Sequence, residues 1–307
     1  MTNITIRQLR YFESLVRHGH FGRAAEACAV SQPALSVQIK ELEENLGGPL
    51  FERLPRKVLL TTLGRHLETR ARDILKSVDD LGDLARAGQE TLAGQLRLGV
   101  IPTIAPYLLP QVIHGLTQTL PAVDVHIRET MTPTLIQELT GGGIDAAIVA
   151  LPISEPSLIE APLFDEAFVL VRPIADGNKP LPNRQSLREM KLLLLEEGHC
   201  FRDQALSFCA IQPGTARETL DATSLATLVQ MVGSGVGVTL IPEIAIGVET
   251  RSAQVAITPF TAPQPSRTIG LIWRRSSPLT KQFEQIAQIV KQAGETVLSA
   301  QRILPVH

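Results

Sequence analysis

The chain has 307 residues, 44% of them hydrophobic and 20% charged, and its 29 Lys and Arg against 31 Asp and Glu leave a formal net charge of −2. This is the composition of an ordinary soluble protein with room for about two domains of roughly 150 residues each, and the charge excludes a uniformly basic nucleic-acid-binding chain. No apolar run approaches the ~20 residues that cross a bilayer, the N-terminus lacks a signal-peptide stretch and three cysteines cannot frame a disulfide scaffold, so a cytoplasmic protein without membrane association is expected.

The charge is unevenly spread. Residues 1–65 carry nine Lys and Arg against six Glu, so +3 there faces −5 in the remainder, as in an N-terminal DNA module joined to a mildly acidic domain. In that module Ile6, Leu9, Phe12, Leu15 and Val16 recur at helical spacing and predict a first helix ending near Gly19. Phe21 to Ala29 predicts a short second helix, with Ala24, Ala25 and Cys28 small enough for close packing. Ser31 suits the N-cap of a third helix, and Pro33 its first turn, where a missing N–H costs little. Through Glu44, Leu35, Ile39 and Leu42 then face inward, leaving Gln32, Ser36, Gln38 and Lys40 outward. Two short helices with outward amides, hydroxyls and a lysine suit a reader of double-stranded DNA in the major groove, although the same packing occurs in proteins that bind no DNA. Gly47-Gly48-Pro49 ends the helix. Leu50 to Val58 predicts a hairpin wing whose Arg53, Arg56 and Lys57 can reach phosphates.

Next, Leu67, Ala71, Ile74, Val78, Leu81 and Ala85 alternate spacings of four and three, a heptad seam that suits pairing with a second helix. Burial against its own chain is the alternative. Gly88 and Gly94 predict a hinge over residues 88–94. The chain thus divides into a helix-turn-helix domain at 1–65, a linker and dimerisation helix with hinge at 66–94, and an effector domain at 95–307.

From Gln95 the pattern changes to short apolar strands separated by helices: Leu96 to Ile101, Val123 to Ile127, Ile144 to Leu151, Phe168 to Val171, Leu192 to Leu195 and Gly235 to Pro242. Repeated strand–helix–strand order predicts a parallel α/β sheet. Gly233-Ser234-Gly235-Val236-Gly237 lacks the flanking order of a nucleotide loop. Seven histidines and three cysteines show no metal-ligand spacing, so neither metal nor cofactor is expected.

Cys200 and Cys209 are the most informative residues of this half. His199 precedes Cys200, Arg202 follows it, and an apolar strand gives way there to a helix-like segment. Cationic neighbours and a helix start favour the nucleophilic thiolate. If the segment is helical the two sulfurs stand on opposite faces about 13 Å apart along the axis, too far for a bridge, so bridging would have to unwind it. The plainer alternative is a pair of small buried hydrophobes. Cys28, on the inward face of its helix, reads as core.

Phe21-Gly22-Arg23-Ala24-Ala25, Ser31-Gln32-Pro33-Ala34-Leu35-Ser36, Ile39-Lys40-Glu41-Leu42-Glu43 and Gly48-Pro49-Leu50-Phe51-Glu52-Arg53 resemble, in order and spacing, the winged helix-turn-helix of LysR-type transcriptional regulators. That resemblance implies a linker helix that pairs subunits and an effector domain of two α/β lobes similar to periplasmic binding proteins, the second lobe covering roughly residues 165–270. Gly198-His199-Cys200-Phe201-Arg202-Asp203-Gln204-Ala205, with Phe208-Cys209, Ile101-Pro102-Thr103, Leu163-Phe164-Asp165-Glu166, Ala222-Thr223-Ser224-Leu225 and Arg267-Thr268-Ile269-Gly270-Leu271, resembles the peroxide-sensing OxyR branch of that family. The branch implies a transcription regulator, not an enzyme, in which hydrogen peroxide oxidises Cys200 and Cys209 closes a reversible disulfide. By the same resemblance Thr103, Thr132 and Arg267 hold the peroxide, and His199, Arg202 and Asp203 surround the thiol. Homodimers or homotetramers, RNA polymerase and a cellular thiol reductant are the further partners implied. The competing expectation is a LysR-type regulator that binds a small organic effector between the lobes.

Overall fold

The computed structural model describes residues 4–54, 57–88, 92–182, 186–187, 190–209 and 221–303, and the chain forms two compact units, Met1–Ala85 and Arg86–His307. In the first unit, α1 (Ile6–His18) opens on a Thr5–Gln8 capping box and stops at left-handed Gly19. α2 (Phe21–Ala27) ends two residues before the predicted limit, because Cys28 is its C-cap and Ala29 turns to φ +52°. α3 (Gln32–Leu46) starts at Ser31, whose Oγ accepts from Ala34 N at 3.4 Å, and ends at left-handed Gly47. Leu9, Phe12, Leu15, Leu35, Ile39 and Leu42 close the core of the three helices. Strands β1 (Phe51–Leu54) and β2 (Lys57–Leu60) pair antiparallel as the wing, and Glu43 Oε1 accepts from Leu50 N and Phe51 N to fix the entry to β1.

The helix that follows, α4 (Thr62–Ala87), begins four residues earlier than predicted, and its apolar seam is split. Ala71 is 1% exposed and Leu75, not Ile74, joins the core of this unit, with Leu67 packed against it. Ile74, Leu81 and Leu84 face outward, Leu81 at 65% exposure. An undistorted helix drifts by about 20° per heptad, so a stripe spaced at seven does not stay on one face. The side chain of Ala85 and residues 89–91 of the hinge predicted over residues 88–94 lie outside the described residues.

In the second unit, β3 (Gly94–Val100), β4 (Val123–Glu129) and β5 (Ala146–Leu151) are parallel, β3 lying between the other two. Helices α5 (Ala105–Thr119) and α6 (Thr132–Thr140) connect them. The prediction of a parallel sheet needs correction at this point, because β11 (Ser266–Arg274) runs antiparallel to both β5 and β6 (Leu158–Pro173). The chain returns from the second lobe along β11, so the sheet is mixed. β6 is one long strand shared by both lobes: its first part pairs with β11, its second with β9 (Thr239–Pro242) and β10 (Val255–Pro259). The second lobe adds the parallel pair β7 (Leu194–Leu195) and β8 (Asp221–Ala222), with α7 (Cys200–Cys209), α8 (Leu225–Gly233) and the short α9 (Ile246–Glu249) around them. α10 (Thr280–Ile303) closes the chain, its Phe283, Ile286 and Val290 buried in the core common to both lobes.

Candidate functional site

Buried β7 ends in Glu196-Glu197-Gly198-His199, and α7 begins at Cys200. Gly198 has φ +97°, a left-handed conformation that a side chain strains, and it turns the chain sharply so that Cys200 stands in the first turn. Cys200 is half-buried, whereas Cys209, the last residue of the helix, is fully buried in the effector-unit core. Both are thiols. The predicted obstacle to bridging is therefore present: the ten-residue helix separates the two by about 13 Å along its axis, and a disulfide between them requires that α7 unwind.

Cys200 opens into a small cavity made by three segments: Ile101 to Thr103 after β3, Met131 and Thr132 at the start of α6, and Gly198 to Cys200. Thr103 and Thr132 are both buried. Thr103 Oγ1 accepts from Arg267 Nη1 at 2.9 Å, and its carbonyl accepts from Nη2 at 3.2 Å. Its own hydroxyl hydrogen is left to donate. Thr132 Oγ1 has no hydrogen-bond partner among the described residues, and a buried hydroxyl in that state costs free energy until a ligand or water meets it. Arg267 stands behind Thr103 rather than in the cavity wall. Its Nε donates to Glu166 Oε1 at 2.8 Å, its Nη2 lies 2.7 Å from the same oxygen, and its guanidinium lies 5.3 Å from the centre of the Phe201 ring. Burial pushes the Glu166 carboxyl above the ordinary carboxylate range, and the Arg267 charge and hydrogen bond pull it back. A permanently charged guanidinium at 4% exposure needs that carboxylate beside it.

The cationic surroundings predicted for Cys200 are corrected by this geometry. His199 lines the cavity, but its burial lowers its pKa, against a weaker opposite pull from Glu196, which favours the neutral ring. Arg202 Nη1 donates instead to Leu195 O at 2.6 Å and to Asp221 Oδ1 at 2.7 Å. It ties the first turn of α7 to the β7–β8 edge and does not line the cavity. Asp203 is exposed in the same turn. Sequence reasoning named Glu166 only as part of a matched stretch and did not single out Met131. Glu166 meets Arg267 101 positions away, a pairing with no local signal.

On the face of α3 expected to read DNA, Ser31, Gln32, Pro33 and Lys40 are exposed, while Ser36 and Gln38 are half-buried. Gln38 Nε2 donates to Glu41 Oε2 at 2.7 Å, and Lys40 Nζ lies 3.5 Å from Glu44 Oε1. Val37, absent from the predicted face, is 54% exposed there and suits contact with a thymine methyl. The side chain of Arg53, and Arg56 altogether, lie outside the described residues. A lysine on a phosphate contributes to affinity without reading sequence; if Lys40 makes such a contact, Lys40→Ala should weaken binding to all duplexes alike and reduce the slope of log K against log salt by about 1. Anisotropy titrations over a salt series measure both. An unchanged slope would remove Lys40 from the phosphate contacts.

Residues 6–65 match the family model described as "Bacterial regulatory helix-turn-helix protein, lysR family", and residues 89–295 match "LysR substrate binding domain". The chain is similar to a "Probable hydrogen peroxide-inducible genes activator" of Streptomyces viridosporus, at 44% identity over 94% of each chain. It is also similar to the "DNA-binding transcriptional dual regulator OxyR" of Escherichia coli, at 43% identity over 94% of this chain and 95% of that one. Among solved structures, a cysteine-to-aspartate form of full-length OxyR from Pseudomonas aeruginosa superposes with a TM-score of 0.76 at 38% identity, covering 94% of this chain and 95% of that one. A hydrogen peroxide-bound cysteine-to-serine mutant of Corynebacterium glutamicum OxyR gives 0.68 at 35% identity, covering 97% and 95%.

Proposed function

The chain belongs to the LysR family of bacterial helix-turn-helix regulators, and on that premise we propose that it is a hydrogen peroxide-responsive, DNA-binding transcription regulator switched by a reversible Cys200–Cys209 disulfide. One observation carries the reading: a thiol at the start of a helix shares a small cavity with two buried hydroxyls, one of them unpartnered among the described residues, while a second thiol lies buried at the other end of that helix. The cleft is narrow: its empty space is about 170 Å³ with open solvent included, which leaves no enclosed room for an organic effector and favours a ligand of two heavy atoms such as a peroxide.

The Cys200 thiolate attacks one peroxide oxygen and the O–O bond breaks. The sulfur becomes a sulfenic acid, and the other oxygen leaves as hydroxide, which takes a proton to become water. Hydroxyl donors at Thr103 and Thr132 face the charge that develops on the departing oxygen, Arg267 fixes the first of them, and neutral His199 completes the polar wall. Cys209 then attacks the sulfenic sulfur, expelling the hydroxyl as a second water and closing the disulfide. Each subunit consumes one peroxide per switch, and a cellular thiol reductant resets it, so the protein is a sensor rather than an enzyme. Arg202 and Asp203 stabilise the first turn of α7 and give way when it unwinds.

In this reading, residues 1–65 bind double-stranded DNA through Ser31, Gln32, Pro33, Ser36, Gln38 and Lys40, with Arg53 and Arg56 of the wing on phosphates. The linker at 66–94 pairs subunits through the outward Ile74 and Leu81 side of α4. The effector domain at 95–307 changes the packing of a homodimer or homotetramer on oxidation, and so its engagement of RNA polymerase in the cytoplasm. A stoichiometric peroxide titration of reduced protein, with peptide mass mapping and DNA footprinting on the same samples, tests the proposal. A Cys200–Cys209 bridge that forms together with a changed footprint supports it, and unbridged cysteines with an unchanged footprint refute it. Cys28, half-buried at the end of α2 and packed on the DNA-module core, takes no part: Cys28→Ser should titrate and footprint like the parent, and a lost response in folded, DNA-binding protein would overturn that assignment.

A further inference from the structure

We infer that Met131 sets the size selectivity of the Cys200 site, admitting hydrogen peroxide and rejecting hydroperoxides that carry an alkyl group. The inference rests on the peroxide-sensing reading and adds a residue to which that reading gives no role.

Met131 is the N-cap residue of α6, with extended backbone (φ −69°, ψ 153°), and its side chain makes no capping hydrogen bond. The side chain is instead a wall of the cavity that holds Cys200. Its thioether rests on the backbone that delivers the thiol: a Cβ built on Gly198 would lie 2.5 Å from Met131 Sδ, well inside van der Waals contact. The sulfur therefore occupies the space that any other residue at 198 would fill, two positions before Cys200, and it closes the gap between the start of α6 and the β7–α7 turn.

The polar members of the lining, Thr103, Thr132 and His199, have hydrogen-bonding groups to offer a peroxide. The apolar members are Ile101, Pro102 and Met131. Ile101 is 2% exposed at the end of a sheet strand and Pro102 is a rigid ring, so neither can yield. Met131 is half-buried, unbranched and flexible, and it lines the same cavity as the Cys200 thiol. Hydrogen peroxide has only a hydrogen on its distal oxygen. An alkyl hydroperoxide must place carbon there, within a cavity that the Met131 side chain narrows.

The test uses full-length reduced protein and measures second-order rate constants for loss of the Cys200 thiol with hydrogen peroxide and with tert-butyl hydroperoxide. In Met131→Ala the ratio of the alkyl rate to the hydrogen peroxide rate should rise by about tenfold or more, the scale on which a missing steric wall alters discrimination in a pocket. Met131→Leu, of similar volume, should keep the parent ratio. Unaltered near-UV circular dichroism and DNA binding of the reduced variants establish that each is folded, and Met131→Val replaces the alanine variant if that one is not. An unchanged ratio in Met131→Ala, or equal acceleration by both oxidants, overturns the inference. A parent protein whose Cys200 is inert to hydrogen peroxide refutes the sensing proposal itself, which is a distinct outcome.

Discussion

Cys200→Ser protein is expected to keep its reduced DNA footprint at every peroxide concentration and to form no intramolecular bridge. A serine hydroxyl at this position has almost no anionic form at neutral pH and no sulfur to carry the oxidation, so the proposed first step is abolished rather than slowed. Because Cys200 is half-buried at a helix start within the effector unit, the variant should fold and bind DNA as the reduced parent does. Cys209→Ser separates the two steps. It should consume one peroxide per subunit and stop at a sulfenic acid that a dimedone adduct reveals by intact mass. Any footprint change in Cys200→Ser, or a bridge through Cys28, would sink the mechanism.

Arg267→Ala is expected to destabilise the effector domain by about 3–5 kcal/mol, the cost of leaving one partner of a buried ion pair uncompensated. Glu166 and Arg267 are both at least 96% buried, and the arginine also fixes Thr103. The loss should depend on pH with a definite sign. Burial raises the Glu166 carboxyl already in the parent, and without the guanidinium that effect stands unopposed. A carboxyl whose folded pKa lies above its unfolded value, near 4.3, binds its proton more tightly in the folded state. Its contribution is complete below the unfolded pKa and is lost as pH rises through the folded one. The deficit of Arg267→Ala relative to the parent should therefore shrink as pH falls from 7 towards about 5, and urea unfolding at a series of pH values measures it. Adding Glu166→Gln should remove both the pH dependence and part of the deficit. A deficit that grows on acidification would show that Glu166 is not the group left unpaired.

The DNA module was largely legible because its structure is decided locally. Leu35, Ile39 and Leu42 lie on one face of one helix, and Ser31 and Gly47 are the residues that begin and end it. The linker was less so. A seam spaced at seven predicts a partner helix, whereas the drift of an undistorted helix turns Ala71 and Leu75 onto the module's own core and leaves Ile74 and Leu81 outside. In the effector unit β3, β4 and β5 announced themselves by short apolar runs. β11 was not read as a strand, although Ile269 to Trp273 is largely apolar; the arginines that flank this run are met by groups far away in sequence, Arg267 by Thr103 164 positions distant and Arg274 by the carbonyls of Leu139 and Ile144. The cysteine pair was visible in the sequence, but the role of its neighbour Arg202 was not. Adjacency suggested a cation beside the thiol, and the fold spends that cation on Leu195 O and Asp221.

The depth at which Cys209 is seated has an electrochemical consequence. Fully buried near Ala205 and Leu206 of its own helix, it cannot reach Cys200 in the proposed switch without leaving the apolar core, so the bridged protein is packed less well than the dithiol. That deficit belongs to the disulfide couple: each ~1.4 kcal/mol of packing lost on oxidation shifts the reduction potential by about 30 mV in the oxidising direction. A deeply seated second cysteine thus makes the bridge easy for cellular dithiols to reduce, and the packing around it determines how long the signal outlasts the oxidant.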